Sequence, residues 1–469
     1  MLTSFEIRSA FAAPPAPVPV TLGYRLRLLG IVAGLSALLG LYLALIALVA
    51  VLAWYWLLFG TIFAVSGLAV FLWLAPPAAG VVIILGLIRP LVRRQPEGPK
   101  PMSVSAKDEP VLFEFLDRLS EMLSAPPPAA VCVDLAVNAN AAFTGWKGLL
   151  TGKLQLTIGL PLAAAFTLPQ MVGVLAHELG HFSQGAGLRS YFLISKIREW
   201  LLRVAHERDS WDAWIERHRR AGKWVLILVA NLAWLGLTMS RRYLAALARA
   251  AQWMTAAFSR HMEFDADRHE AAIVGATVFE ETAMRLPQLR TAAELTWRNV
   301  SETWAMRRAP EDLPGMIAAV EQILTDETVG RVREQALARR TDRWDMHPCD
   351  AERIEAARTF DARSLFHLEG EARTLFADLP ALSREATLHH YEEIAKLDSG
   401  GVRFARVEES VARIARPSDA PTCMVVLSRP EASPESLGVA SAMATMVSAG
   451  KASPPPIPSS VIGSNRSRR

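Results

Sequence analysis

From Leu28 to Ile88 the chain carries no Asp, Glu, Lys, Arg or His, a run of 61 residues. One membrane-crossing helix needs about 20 apolar residues, so two or three crossings fit. The run is too long and starts too late for a secretory signal peptide. The aromatic cluster WYWLLFG, Trp54 to Gly60, stands near its middle. Trp and Tyr favour the headgroup level, so this cluster reads as the far-side turn of a hairpin with spans at about 28–53 and 60–88. Pro76-Pro77 predicts a kink in the second span. Arg25 and Arg27 precede the run; Arg89, Arg93 and Arg94 follow it. Two crossings put both basic flanks on one face, which the positive-inside rule makes cytoplasmic. The expectation is an integral membrane protein, mainly α-helical, whose large C-terminal part faces the cytoplasm. The Ala- and Arg-rich composition suggests a GC-rich bacterium, and hence its inner membrane.

A second apolar region is shorter. Trp224–Ser240 and Tyr243–Phe258 flank Arg241-Arg242, and each is about 24 Å of helix. They read as a second membrane hairpin, an in-plane amphipathic pair or a buried pair. Hydrophobic residues make up 51% of the chain and the mean hydropathy is +0.22, an excess concentrated in these stretches. The net charge of +4 comes with no aromatic-interleaved basic patch, which argues against nucleic-acid binding. Three distant cysteines, Cys132, Cys349 and Cys423, make neither a disulfide framework nor a paired-cysteine zinc site, as expected in a reducing compartment.

Residues 1–24 read as a tail and 95–110 as a Pro-rich linker. Pro110–Leu123 has helical spacing. Ala130–Gly145 opens with valine alternation and Lys153–Pro161 alternates too, with GWKGLLTGK as a hairpin connection, so a small sheet is expected. A helix follows it, announced by Thr167 and Gln170 at capping-box spacing with Pro169 in the first turn. Residues 361–415 read as a helical extension and 416–469, rich in Ser, Pro, Ala and Gly, as a disordered tail.

That helix contains HELGH, His177 to His181. Positions i and i+4 share a helix face, so both imidazoles can reach one metal ion at about 2.0–2.1 Å. Glu178, rotated about 100° around the axis, can reach the open coordination position without being a ligand. There it can take the proton of a water whose pKa zinc has lowered to about 7, as that water attacks a peptide carbonyl. Two histidines and a glutamate in an otherwise apolar helix would be costly without such partners. A third ligand is expected in SRHMEFDADRHE, where Glu263, Asp267 and Glu270 share a face. Glu263 as ligand would leave Asp267 to accept from a ligating histidine.

These residues resemble the HtpX-like integral-membrane zinc metallopeptidases, relatives of the CAAX prenyl proteases. NANAAFTG (Asn138–Gly145), HELGH, EFDAD (Glu263 and Asp267) and HPCDAERIEA (His347–Ala356) occur in the family's order. The resemblance covers roughly residues 28–358. It implies an α+β zincin-like domain at 111–360, one Zn2+ per chain, Glu263 as third ligand, and His347 near the active site as a donor to the oxyanion or substrate. Cys349 stands where proline is common, and NANAAFTG leaves open which asparagine lines the cleft. His389-His390 read as part of a solvated helix.

A protease holds its substrate extended, and an exposed edge strand does so by strand addition. Residues 136–143 are expected to pair with substrate backbone, with Asn138, Asn140, Ala142 and Phe143 at the contact and Ala142→Pro as the disrupting change. His181 and Glu263 must meet, so an even number of crossings separates them. The leading expectation is a membrane-embedded zinc endopeptidase with protein or peptide substrates, such as misfolded membrane proteins. The alternative from another class is a membrane scaffold or regulator that keeps a structural zinc.

Overall fold

The computed structural model describes residues 2–15, 22–60, 67–92, 101–183, 196, 200, 216, 217, 219, 224–360, 364–397 and 399–414. A short helix, α1 (Ser4–Ser9), precedes the charge-free run, which forms α2 (Leu22–Phe59) and α3 (Gly67–Val92). The expected turn at Trp54–Gly60 is corrected: α2 continues through the aromatic cluster to Phe59, because Trp, Tyr, Leu and Phe are all accommodated in a helix. Residues 61–66 lie outside the described residues. Pro76 and Pro77 both lie inside α3. The two helices pack antiparallel, with the Tyr42 hydroxyl donating to the Leu87 carbonyl and Trp56 Nε1 to the Trp73 carbonyl. Among the described residues, α2 is the one helix long and apolar enough to cross a membrane, and Pro76–Ile88 is a shorter apolar stretch.

The expected N-terminal tail is ordered at its start. Thr3 and Glu6 form a capping box on α1. Ile7 is fully buried, and Phe11 makes an antiparallel bridge with Phe366. The segment before α2 thus packs on the same body that follows α3.

Part of the expected linker is strand. β1 (Met102–Val104) pairs antiparallel with β2 (Ala130–Asp134), and α4 (Pro110–Leu123) lies between them in sequence. The alternation read as one strand is two, since the chain turns after Asp134 into β3 (Ala139–Phe143). The connection from β3 is a helix, α5 (Gly145–Thr151), that leads into β4 (Leu154–Gly159). β4 pairs antiparallel with β3 and parallel with β2, so the order is β1-β2-β4-β3 and β3 is an edge strand. α6 (Leu160–Ala165) leads to α7 (Leu168–Gly180), which starts as its sequence predicts. Gln170 N–H donates to Thr167 Oγ1 and Thr167 N–H to Gln170 Oε1, with Pro169 in the first turn.

α8 (Trp224–Trp304) spans 81 residues and breaks once, at Gly275, whose φ of 83° suits glycine. The freed Ile273 carbonyl accepts from the N–H groups of Leu365 and Phe366. Arg241 and Arg242 lie inside this helix, so of the three arrangements open for Trp224–Phe258 each that needs a turn between the segments is corrected; arginine is a good helix former and no turn residue separates them. α7 and α8 approach closely through small residues. A Cβ at Gly180 would stand 2.9 Å from His269 Cβ, and one at Gly173 would stand 3.1 Å from Glu270 Oε1.

Beyond α8 come β5 (Arg308–Pro310), α9 (Leu313–Gln322), α10 (Asp326–Ala338), α11 (Asp350–Thr359) and α12 (Leu379–His389). β6 (Arg403–Ala405) pairs parallel with β5, and α13 (Val407–Ile414) follows. The C-terminal extension therefore joins the core; Leu375, Phe376 and Tyr391 are buried in it. His390 is buried against Trp297 in a π-helical turn, not solvated, because α12 turns this face toward α8. Residues 415–469, including the expected disordered tail, lie outside the described residues.

Candidate active site

α7 sets His177 and His181 on one face, with ring centroids 4.9 Å apart. α8 crosses this face with Glu263, Asp267 and Glu270, all buried. Glu263 lies between the imidazoles: its Oε2 is 3.4 Å from His177 Nε2 and its Oε1 is 3.7 Å from His181 Nε2. Asp267 and Glu270 stand on the other edge of His177, at 3.1 and 3.6 Å from Nδ1. Helical spacing left the three acids as rivals; the crossing of two helices separates them into two sides of one imidazole.

The donor atoms of His177, His181 and Glu263 lie within 4.8 Å of one another, as do those of His177, Asp267 and Glu270. The two sets differ in what else holds them. Asp267 is clamped by Arg353 of α11, which donates from Nε at 2.9 Å and from Nη2 at 2.6 Å. The first set offers two nitrogens and a carboxylate, the donor mix of catalytic zinc. Charge gives an independent test of fit. Glu263 and Asp267 are held ionised beside one guanidinium while burial raises Glu270 to about 7, and buried charge without a partner is expensive, so the cluster suits a further cation.

The electrostatics bear the same mark. Burial alone would lower His177, but the carboxylates of Asp267 and Glu263 outweigh it and hold the imidazole well above its usual range. Burial would raise Glu263, yet His347 and His177 hold it well below the usual carboxylate range. Burial dominates at Glu178, raising it to about 7, and at His181, lowering it to about 4.

Glu178 is held at the sheet edge, where Ala141 N–H donates to its Oε2 at 3.0 Å. His347 reaches in from the segment before α11. It is 42% exposed by side chain, and its Nδ1 is 3.2 Å from Glu263 Oε2. Asn140 on the edge strand and Asn138 just before it are exposed, while Ala142 is half-buried. Phe143 belongs to the core, its ring packed edge-on to Phe182 at 5.5 Å. The expectation for that side chain is corrected, because strand alternation turns it inward.

The backbone register also revises Ala142. Gly159 N–H donates to the Asn138 carbonyl and Thr144 N–H to that of Lys153. In an antiparallel pair such bonding alternates. Asn140 and Ala142 therefore bond inward to β4, and the open edge is presented by Ala139, Ala141 and Phe143. Sequence reasoning missed both Arg353 and the Ala141 amide. Arg353 lay in the quoted HPCDAERIEA but had no assigned role.

The model of peptidase family M48 matches residues 107–361. The chain belongs to peptidase family M48. This is the family of HtpX- and CAAX-protease-type zinc metallopeptidases, and its membership makes the chain a metallopeptidase. The M48 match contains β2 to β4, α7 and α11 and stops short of α1–α3, β1 and the C-terminal extension. Neither a curated protein nor a solved structure matches the chain.

Proposed function

We propose that the chain is a membrane-anchored zinc endopeptidase with a zincin-like catalytic domain, cutting extended segments of membrane or misfolded proteins. The observation that carries this is Glu263 lying between the two Nε2 atoms of an HExxH helix. His177, His181 and Glu263 would hold the ion, which when bound would supply a Lewis acid for the scissile carbonyl and an acidified water. Glu178 stands over that side of the helix and takes the proton of the attacking water. Asp267 fixes His177 through Nδ1, and Arg353 fixes Asp267. His347, half in solvent, donates to the developing oxyanion or to substrate. A scaffold with a structural metal has no use for a carboxylate held at an open edge strand, which favours the peptidase over that alternative.

The bacterial inner membrane, with the domain on the cytoplasmic side, is the setting the basic flanks of α2 and α3 favour.

Chelation tests the metal requirement. Purified protein stripped with phenanthroline is expected to lose casein hydrolysis, and stoichiometric zinc is expected to restore it; hydrolysis unchanged by chelation would remove the metallopeptidase mechanism. A proline pair tests the strand. Ala141→Pro removes the outward N–H that Glu178 accepts; an edge strand tolerates this, so fold and zinc content should persist while peptide turnover drops through loss of both the strand edge and the Glu178 contact. Ala142→Pro removes a ladder bond and should cost about 1–3 kcal/mol of stability. Equal melting and equal turnover in the two variants would contradict the register.

A further inference from the structure

The apolar bundle carries its own depth scale. α2 and α8 run antiparallel. The Tyr24 hydroxyl donates to Met262 Sδ at 3.0 Å, a Cβ on Gly34 would overlap Met254, and Tyr42 stacks on Tyr243. By that register Gln252 and Trp253 stand level with about Leu35. From Leu35 to Tyr55, α2 rises about 30 Å, the thickness of one hydrocarbon core. The far end of this interval is marked by the exposed Trp54, Tyr55 and Trp56. Its near end is marked by Trp253, 61% exposed, and by a loop of the M48 domain that comes to rest beside it. There the Trp344 carbonyl accepts from Gln252 Nε2 at 3.1 Å, and the Asp345 carbonyl accepts from Arg260 Nη1 at 2.6 Å. Trp344 is itself 36% exposed, with the Arg343 guanidinium 5.3 Å from its ring centroid. Arg249 and Arg343 are exposed on the same stretch. Two aromatic belts one hydrocarbon thickness apart, with arginine on the inner one, are the pattern of a protein seated in a bilayer. Arg241 and Arg242, eleven and ten residues from Gln252, fall about 16 Å inside the interval, near its middle, where arginine is tolerated when it faces protein or water; Arg241 is half-buried in the bundle.

We propose that the loop Thr341–Met346 is a membrane-seated foot of the catalytic domain, with Trp253 and Trp344 in the headgroup layer and Arg249 and Arg343 against its phosphates. This rests on reading α2 as a membrane anchor. Gln252 and Glu263 are on one helix, so the foot holds the metal site about 16 Å above the belt. An extended chain covers about 3.3 Å per residue. On the peptidase reading, a membrane-anchored substrate therefore reaches the site only when about five or more residues separate its span from the scissile bond.

The test uses the full chain in phosphatidylcholine vesicles containing phosphatidylglycerol, with Cys423→Ser leaving the buried Cys132 and Cys349. A bimane label on Trp344→Cys is expected to be quenched several-fold more by acyl-brominated lipid than one on Asn140→Cys beside the site. If Trp344→Cys does not fold, Trp253→Cys reads the same level. A label at 344 or 253 that brominated lipid does not quench, and that aqueous iodide quenches as fully as at 140, overturns the foot. Peptides tethered to a transmembrane anchor by graded spacers read the consequence. Cleavage should switch on near five spacer residues, and equal cleavage at every length overturns the ruler. A free peptide of the same sequence serves as control: if it too is uncut, the peptidase reading fails while the quenching result still decides the foot.

Discussion

Glu178→Gln is expected to lower casein and peptide hydrolysis by about 10²–10⁴-fold, the usual contribution of a general base. The metal should remain, because Glu178 is not among the three donors that lie around one point. Glutamine keeps the shape and still accepts the Ala141 N–H bond seen at 3.0 Å, so the edge strand should not move. The loss should therefore fall on kcat more than on KM. Hydrolysis at the wild-type rate in this variant would eliminate Glu178 as the base.

Arg353→Met carries the second large effect, on stability. Asp267 is completely buried, and Arg353 neutralises it through two short bonds while stacking 5.6 Å from the Phe279 ring. Removing one partner of a buried pair leaves the other charge uncompensated, at a cost of about 3–5 kcal/mol. Asp267 holds His177 by its Nδ1, so metal affinity should fall by about 10–100-fold as well. Replacing both residues, Asp267→Asn with Arg353→Met, removes the stranded charge and should recover part of the melting temperature but not the metal affinity. A single variant that melts with the wild type would show that the pair is solvated.

How much of this the sequence discloses depends on the range of the interaction. HELGH and the Thr167–Gln170 capping box are local patterns that become the expected helix, and the charge-free run becomes helix too, with its turn displaced beyond the aromatic cluster. The third ligand is not local. On spacing alone Glu263, Asp267 and Glu270 are equivalent, and only the crossing angle of α7 on α8, permitted by Gly173 and Gly180, sets one beside Nε2 and two beside Nδ1. Turns of the chain proved harder than elements. The aromatic cluster looked like a hairpin tip because Trp and Tyr favour interfaces, yet interfacial preference does not break a helix, and α2 runs through it. Arg241-Arg242 looked like a boundary for the same reason of polarity. The register of β3, which decides whether Ala141 or Ala142 faces substrate, depends on hydrogen bonds to β4 that a single strand's alternation cannot supply.

Metal analysis of the Glu263→Ala protein is the most direct test of the account. The wild type and Glu178→Gln should each bind about one zinc per chain, and Glu263→Ala, left with two of the three ligands that a catalytic zinc needs, should bind far less and cleave nothing. A folded Glu263→Ala protein that retained the wild-type zinc content and activity would contradict the claim that these three side chains form the metal centre.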